Sequence, residues 1–255
     1  MTTKQIENPL INFLLQLGDN ALIMGHRNSE WCGHGPVLEQ DIALTNIALD
    51  QIGQARNFYQ YAATLISETS GEKLTEDSLA YLRDSWDFKN CLLTELPNGH
   101  WGQTILKQFF VSTYQYYLYQ ELEINSDLKL AGIASKSLKE INYHVRWSSE
   151  WVLRLGDGTS ESKQKMLAAL ETLWPYLNEW TIFTDYEIEI LGNKHQNIKE
   201  KWEEKIHAVL NEAGLIIPSD VYAQRGGKQG NHTEHLGYIL AEMQFLQRAY
   251  PNSEW

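Results

Sequence analysis

Apolar residues recur at steps of three and four along most of the chain, the spacing that places them on one face of an α-helix. Between Leu38 and Ile66 they fall at Leu44, Ala48, Ile52, Ala55, Tyr59, Ala62 and Ile66, which predicts one long helix. Pro36 near its first turn, with Glu39 and Asp41 at the positive end of its dipole, marks the start. Upstream, Leu10 to Met24 predicts a first helix ending near Gly25. Downstream, Thr75 to about Leu93 predicts a shorter helical piece, and Pro97-Asn98-Gly99 reads as a turn. A long helix follows from about Trp101 to Ile124, with Leu106, Phe110, Tyr114 and Tyr117 on one stripe. Asn125-Ser126-Asp127 breaks it, and Asp127 suits the cap of the next. That helix carries Ala134, Leu138, Ile141, Val145, Ser148 and Val152 on one face and stops at Gly156-Asp157-Gly158.

Thr159 or Ser160 caps a further helix through Trp174. Thr181 to Gln196 reads mostly as loop, and two last helices run from about Ile198 to Ala213 and from His232 to Ala249. Between them Arg225-Gly226-Gly227-Lys228-Gln229-Gly230 forms a basic, Gly-rich stretch. There is no credible alternation of strands, no short-period repeat, and no linker that splits the chain. The pattern predicts an all-α protein, two long antiparallel helical pairs with accessory helices, in a single domain over residues 1–255.

Composition narrows the partners. Lys and Arg number 21 against 33 Asp and Glu, so the formal charge is 21 − 33 = −12. Nucleic acid and anionic membrane, both polyanions, are therefore poor main partners. No apolar run approaches the roughly 18–20 residues of a membrane span, and Met1 to Leu17 lacks the features of a signal peptide. The two cysteines, Cys32 and Cys91, suit a reducing cytoplasm rather than a disulfide framework or a thiolate zinc site. Nine Trp and thirteen Tyr exceed what a simple helical core requires and point toward a protein–protein interface.

A four-helix core invites a di-iron carboxylate centre. Such a centre needs one Glu from each of two helices and a Glu-x-x-His pair from each of the other two. Only Glu204-Lys205-Ile206-His207 has that spacing, and it lies on a charged, solvent-facing helix. On the second helix Asn46, Asp50, Gly53 and Asn57 form a polar row, with Gly53 where a ligand pair starting at Asp50 would need His. On the fourth long helix Glu140 is followed at i+3 by Tyr143, with His144 one place too late. Asp50, Glu140 and His144 are therefore expected to be buried polar residues satisfied by protein groups. His232-Thr233-Glu234-His235 lacks zincin spacing, so His232 or Thr233 is expected to cap the last helix. The Gly226–Gly230 segment matches no nucleotide fingerprint and is expected to be a flexible surface loop.

Several of these stretches together resemble a known family. They include Leu17-Gly18-Asp19-Asn20, Glu30-Trp31-Cys32-Gly33-His34, and Asn46 through Asn57 in the order Asn-Ile-Ala-Leu-Asp-Gln-Ile-Gly-Gln-Ala-Arg-Asn. Lys139-Glu140 through Tyr143-His144 and Arg154 through Thr159 continue the match, which is densest from His232 to Arg248. The chain resembles the structural C-type component of bacterial phenylacetyl-CoA epoxidase, the multicomponent ring-1,2 oxygenase of aerobic phenylacetate degradation. The resemblance implies a ferritin-like four-helix bundle with accessory helices and a C-terminal helical extension. It also implies a non-catalytic chain with no cofactor or metal of its own, beside an A-type catalytic subunit that carries the di-iron. A B-type subunit and a reductase bearing flavin and an iron–sulfur centre complete the implied assembly.

Two other functions compete with that reading. One is a self-sufficient di-metal oxidase with unconventional ligands Asp19, Asp50, Glu140 and His144. The other is a helical CoA-thioester module with phosphate held at the Lys228 loop. Purified alone, a structural subunit is expected to lack oxygenase activity and to self-associate through its bare interface.

Overall fold

A computed structural model describes residues 8–219, 221–251 and 253. The long helices are α1 (Pro9–Ser29), α2 (Leu38–Ser70), α5 (Trp101–Leu122) and α6 (Leu128–Gly156). Between them lie α3 (Glu76–Tyr81) and α4 (Leu92–Glu95). After them come α7 (Ser160–Leu173), α8 (Asn178–Thr181), α9 (Asp185–Leu191), α10 (Lys194–Glu212), α11 (Glu234–Met243) and α12 (Phe245–Ala249). No strand occurs among the described residues. The architecture is all-α, a ferritin-like bundle with accessory helices.

The bundle consists of two tightly packed pairs, α1 with α2 and α5 with α6, joined along α2 and α6. The first pair is close because Gly18 leaves room: a Cβ there would lie 2.5 Å from the Tyr59 ring. Most of the long helices begin where a side chain answers their free N–H groups. Asn8 accepts from Leu10 and Ile11 at α1, with Pro9 in the first turn; His100 accepts from Gln103 at α5; Asp127 accepts from Lys129 and Leu130 at α6. α2 ends on Gly71 at φ 75°, a left-handed stop that glycine takes at little cost. α7 and α10 cover α5, where the Trp202 indole N–H donates to the Phe110 carbonyl at 2.9 Å, and α9 lies on α1. One continuous apolar core draws on residues from Ile11 in α1 to Leu240 in α11.

Four parts differ from the pattern-based expectation, one being the last helix, which starts at Glu234 and is broken at Gln244 into α11 and α12. α1 does not stop at Gly25 but runs on to Ser29, because Gly25 lets Ile52 and the Ala48 carbonyl approach closely. Residues 75–93 are not one helix: α3, a 3₁₀ turn at Ser85–Asp87 and the start of α4 replace it. Residues 181–196 are not mostly loop, since α9 and the first turn of α10 fill them. There Thr184 accepts from the Glu187 N–H while the Glu187 carboxylate takes the Thr184 N–H, a reciprocal cap that starts a helix of only two turns.

Candidate functional site: the buried polar groups

Residues from α2 and α6 meet along a polar seam. The Trp147 indole N–H donates to Gln40 at 3.0 Å, His144 Nε2 lies 2.9 Å from Asp50 Oδ2, and Gln54 Nε2 donates to Glu140 Oε2 at 3.0 Å. His144 is fully buried, while Asp50 and Glu140 are partly covered. The structure thus brings Asp50 and His144 together, and places Glu140 one helical turn further along α6 with its own amide partner. Asn46 and Gly53 are exposed and Asn57 is half-buried. The expected polar row on α2 is therefore the outer edge of this seam, not an interior ligand row. Tyr143, 38% exposed, lies on the same outer side of α6.

Further inside sit three amides from three helices. Asn28 Nδ2 donates to Gln51 Oε1 at 2.8 Å and to Gln108 Oε1 at 2.7 Å, and all three residues are fully buried. Neutral amides thus join the last turn of α1 to α2 and α5 inside the core. Asp19 is committed elsewhere. It is fully buried and accepts from Arg83 and the Tyr59 hydroxyl, and its second oxygen takes the Lys89 N–H at 2.7 Å. Among the described residues no three His, Cys, Asp or Glu side chains are grouped so as to hold a metal ion. The donors present do not suit a dinuclear centre: Asp19 is held by a guanidinium, Asp50 by an imidazole and Glu140 by an amide.

Other buried charges escape the sequence pattern. Lys107 is wholly buried on α5, donating to the Leu96 carbonyl at 2.7 Å and Asn98 Oδ1 at 3.1 Å. Burial and the nearby Arg27 guanidinium bring its pKa down to about 7 against a smaller pull from Glu30. Three glutamates tie down the C-terminal quarter. Glu95 takes Asn90 Nδ2 and His232 Nδ1 on one oxygen, each at 2.9 Å, and the Thr233 N–H at 2.6 Å on the other. His232 Nε2 faces the Phe88 carbonyl at 3.0 Å, so both ring nitrogens meet acceptors, an arrangement that favours the imidazolium form. Burial opposes that charge, but Glu95 and the Phe88 carbonyl outweigh it and raise the pKa. Thr233, not His232, caps α11.

Glu179 and Glu187 account for the Gly-rich segment. Glu179 Oε1 takes the N–H groups of Gly226 and Gly227 at 2.9 and 2.7 Å, and its Oε2 takes that of Leu92 at 2.7 Å. Lys228 is buried and its ammonium sits 3.0 Å from Glu187, which also accepts from Gln16 at 2.8 Å. The segment is thus no flexible surface loop. It is pinned, its N–H groups already hold this chain's own carboxylate, and its Lys228 is already neutralised. The sequence carries a faint signal of this in isolated acids at Glu95 and Glu179 amid apolar neighbours, and none at Glu187, which stands between Asp185 and Glu189. Their partners, however, lie up to 171 residues away, beyond any local pattern.

All 255 residues match the family described as phenylacetic acid catabolic protein. The chain belongs to that family. It is 44% identical over 254 residues to the C subunit of 1,2-phenylacetyl-CoA epoxidase from Escherichia coli strain K12. That alignment covers 97% of this chain and the whole of the relative. Among the described residues no helix is long and apolar enough to cross a membrane.

Proposed function

We propose that this chain is the C-type, non-catalytic component of a multicomponent phenylacetyl-CoA epoxidase in the cytoplasm. The observation that carries it is the end-to-end match to a protein named as that component. The site chemistry supports it: Asp19, Asp50 and Glu140, the carboxylates a metal would need, are each engaged by a protein group. In this reading the di-iron belongs to a related A-type catalytic subunit that this chain positions. Flavin and iron–sulfur chemistry belongs to the reductase, and the assembly also holds a B-type subunit. Such a role calls for a large interface, and obligate ones commonly bury more than about 2,000 Å². Large exposed apolar side chains, among them Leu38, Leu49, Trp86 and Tyr238, are available for one.

Reconstitution tests the proposal. The A-type subunit, the B-type subunit and the reductase are mixed with and without this chain, and phenylacetyl-CoA-dependent oxygen consumption is followed. Turnover is expected only when this chain is present. Full turnover without it, or turnover by it with the A-type subunit omitted, defeats the proposal.

A further inference from the structure

The turn between α4 and α5 is held from three sides. Arg27 of α1 donates through Nε and Nη2 to the Glu95 carbonyl at 3.0 and 2.7 Å, and Asn98 Nδ2 donates back to the Arg27 carbonyl. From α5, Lys107 Nζ donates to the Leu96 carbonyl and to Asn98 Oδ1, and the Thr104 hydroxyl donates to the Asn98 carbonyl at 3.0 Å. On the far side the Glu95 carboxylate holds His232 and the Thr233 N–H. Residues 95–98 therefore connect α1, α5 and the C-terminal segment.

Lys107 is the anomalous member of this joint. Its side chain is wholly buried, and its two acceptors, a backbone carbonyl and an amide oxygen, are neutral. An ammonium brings three N–H donors and a neutral amine brings two. The acceptors present answer the amine and leave one donor of an ammonium over. The charges that act on Lys107 are Arg27 and Glu30, both on α1. Arg27 has the same sign, and Glu30 is already held by Arg27 Nη1 at 2.6 Å and by Asn98 Nδ2 at 2.9 Å. Beyond the turn, the Glu95 carboxylate faces His232 and Thr233 rather than Lys107. A buried cation without its own counter-ion gives up its proton, and the Lys107 pKa of about 7 agrees with the donor count. On the other side of the same residues, both ring nitrogens of His232 meet acceptors. The ordinary order of the two side chains is thus inverted: the histidine keeps its proton where the lysine loses one.

We propose that Lys107 is a proton-operated latch, closing residues 95–98 against α5 as a neutral amine and releasing them when it takes up a proton. The sign follows from linkage. A released, solvated lysine has a pKa of about 10.4, so opening binds a proton wherever the closed lysine is neutral. The opening constant therefore rises about tenfold for each unit that pH falls from about 10 to about 7, and levels off below. Release loosens the joint that ties α1 to α5 and to the segment beginning at His232.

Two measurements on the full chain test the latch. In protein carrying ¹³Cε-lysine, one lysine resonance is expected to titrate near pH 7 while the others titrate near 10. That resonance is expected to be missing from Lys107→Met. Hydrogen exchange of the peptide spanning residues 95–107, corrected for its intrinsic pH dependence, reads the opening constant. It is expected to be about a hundredfold larger at pH 7 than at pH 9 in the wild type, and independent of pH in Lys107→Met. Should Lys107→Met fail to fold, Lys107→Gln takes its place, and the wild-type titration needs no variant. Lysine resonances that all titrate near 10 overturn the proposal. A resonance near 7 with an opening constant that does not change with pH, or changes equally in the variant, also overturns the latch.

Discussion

The clasp around Glu95 and His232 and the amide cluster of Asn28, Gln51 and Gln108 are both buried and polar, yet they are built from opposite materials. The clasp is ionic. Glu95 is fully buried and accepts three hydrogen bonds, and the imidazolium it faces has an acceptor at each nitrogen. The cluster inside the bundle is a trio of neutral amides, and it leaves Asn28 Oδ1 and Gln108 Nε2 without a protein partner. A buried charge persists only where its neighbours answer it, whereas an amide tolerates a missing bond at smaller cost. The charges around Glu95, Glu179 and Glu187 therefore serve architecture, anchoring residues 226–233.

Removing the anchored segment should have the largest effect. Truncation after Gly230 exposes the pocket filled by Leu236, Ile239 and Leu240, all buried, at about 1.5–3 kcal/mol for each side chain. It also strips Glu95 of two donors. The melting temperature is expected to fall by roughly 10 °C or more, and a calorimetric scan with an unchanged midpoint would show that the clasp anchors nothing.

Next in size is Glu95→Ala, which leaves a buried imidazolium, an amide and a backbone N–H without their acceptor. Breaking one side of a buried ion pair costs about 3–5 kcal/mol, readable in urea unfolding. A loss below about 1 kcal/mol would place the clasp on a par with a surface pair. The same pair makes stability depend on pH. His232 has a folded pKa raised above the unfolded value of 6.5, so its contribution is full below pH 6.5. It is lost as pH rises through the raised folded value. Unfolding free energy measured across that window should decline in the wild type relative to His232→Asn; parallel curves would mean that His232 is neutral in the fold.

The amide cluster should respond the other way. Gln108→Leu alone leaves Asn28 Nδ2 short of an acceptor and is expected to cost about 1–3 kcal/mol. Replacing Asn28, Gln51 and Gln108 together by apolar residues of similar volume should come within about 1 kcal/mol of wild type, since no orphan remains. A triple variant that loses more than the single one would show that the amides form a required network, and the contrast with the clasp would fail.

This contrast also divides what is legible in the sequence from what is not. α2, α5 and α6 are long, and their three- and four-residue apolar steps place them without help. α9 is only two turns long, too short for periodicity, and its one signal is the Thr184 and Glu187 cap. At the seam, the row Asn46, Asp50, Gly53 and Asn57 is visible, but spacing alone does not say which side of it faces inward. The interior side is Gln51, Gln54 and Phe58, one step round the helix. The clasp leaves no local pattern because its pairs join α4 to α11 and α9 to residue 228. Only tertiary structure makes Glu95 and His232, 137 residues apart, a single unit.

The smallest expected effect is a gain, and it concerns the outer edge of the seam. Gly53 sits inside α2, is exposed, and has no neighbour within 4 Å of where a Cβ would stand. Its backbone is not among those with positive φ, so nothing in the free chain reserves the position for glycine. Alanine there restricts the unfolded chain and strains nothing in the folded one, worth about 0.4–1 kcal/mol. Urea unfolding of Gly53→Ala should shift the midpoint upward with an unchanged slope. Gly18 is the counter-case on the same bundle: its added Cβ would meet the Tyr59 ring at 2.5 Å, and Gly18→Ala should destabilise. If both substitutions destabilise, α2 uses Gly53 internally. If they move in opposite directions, glycine at position 18 serves the fold and the fold has no use for glycine at position 53.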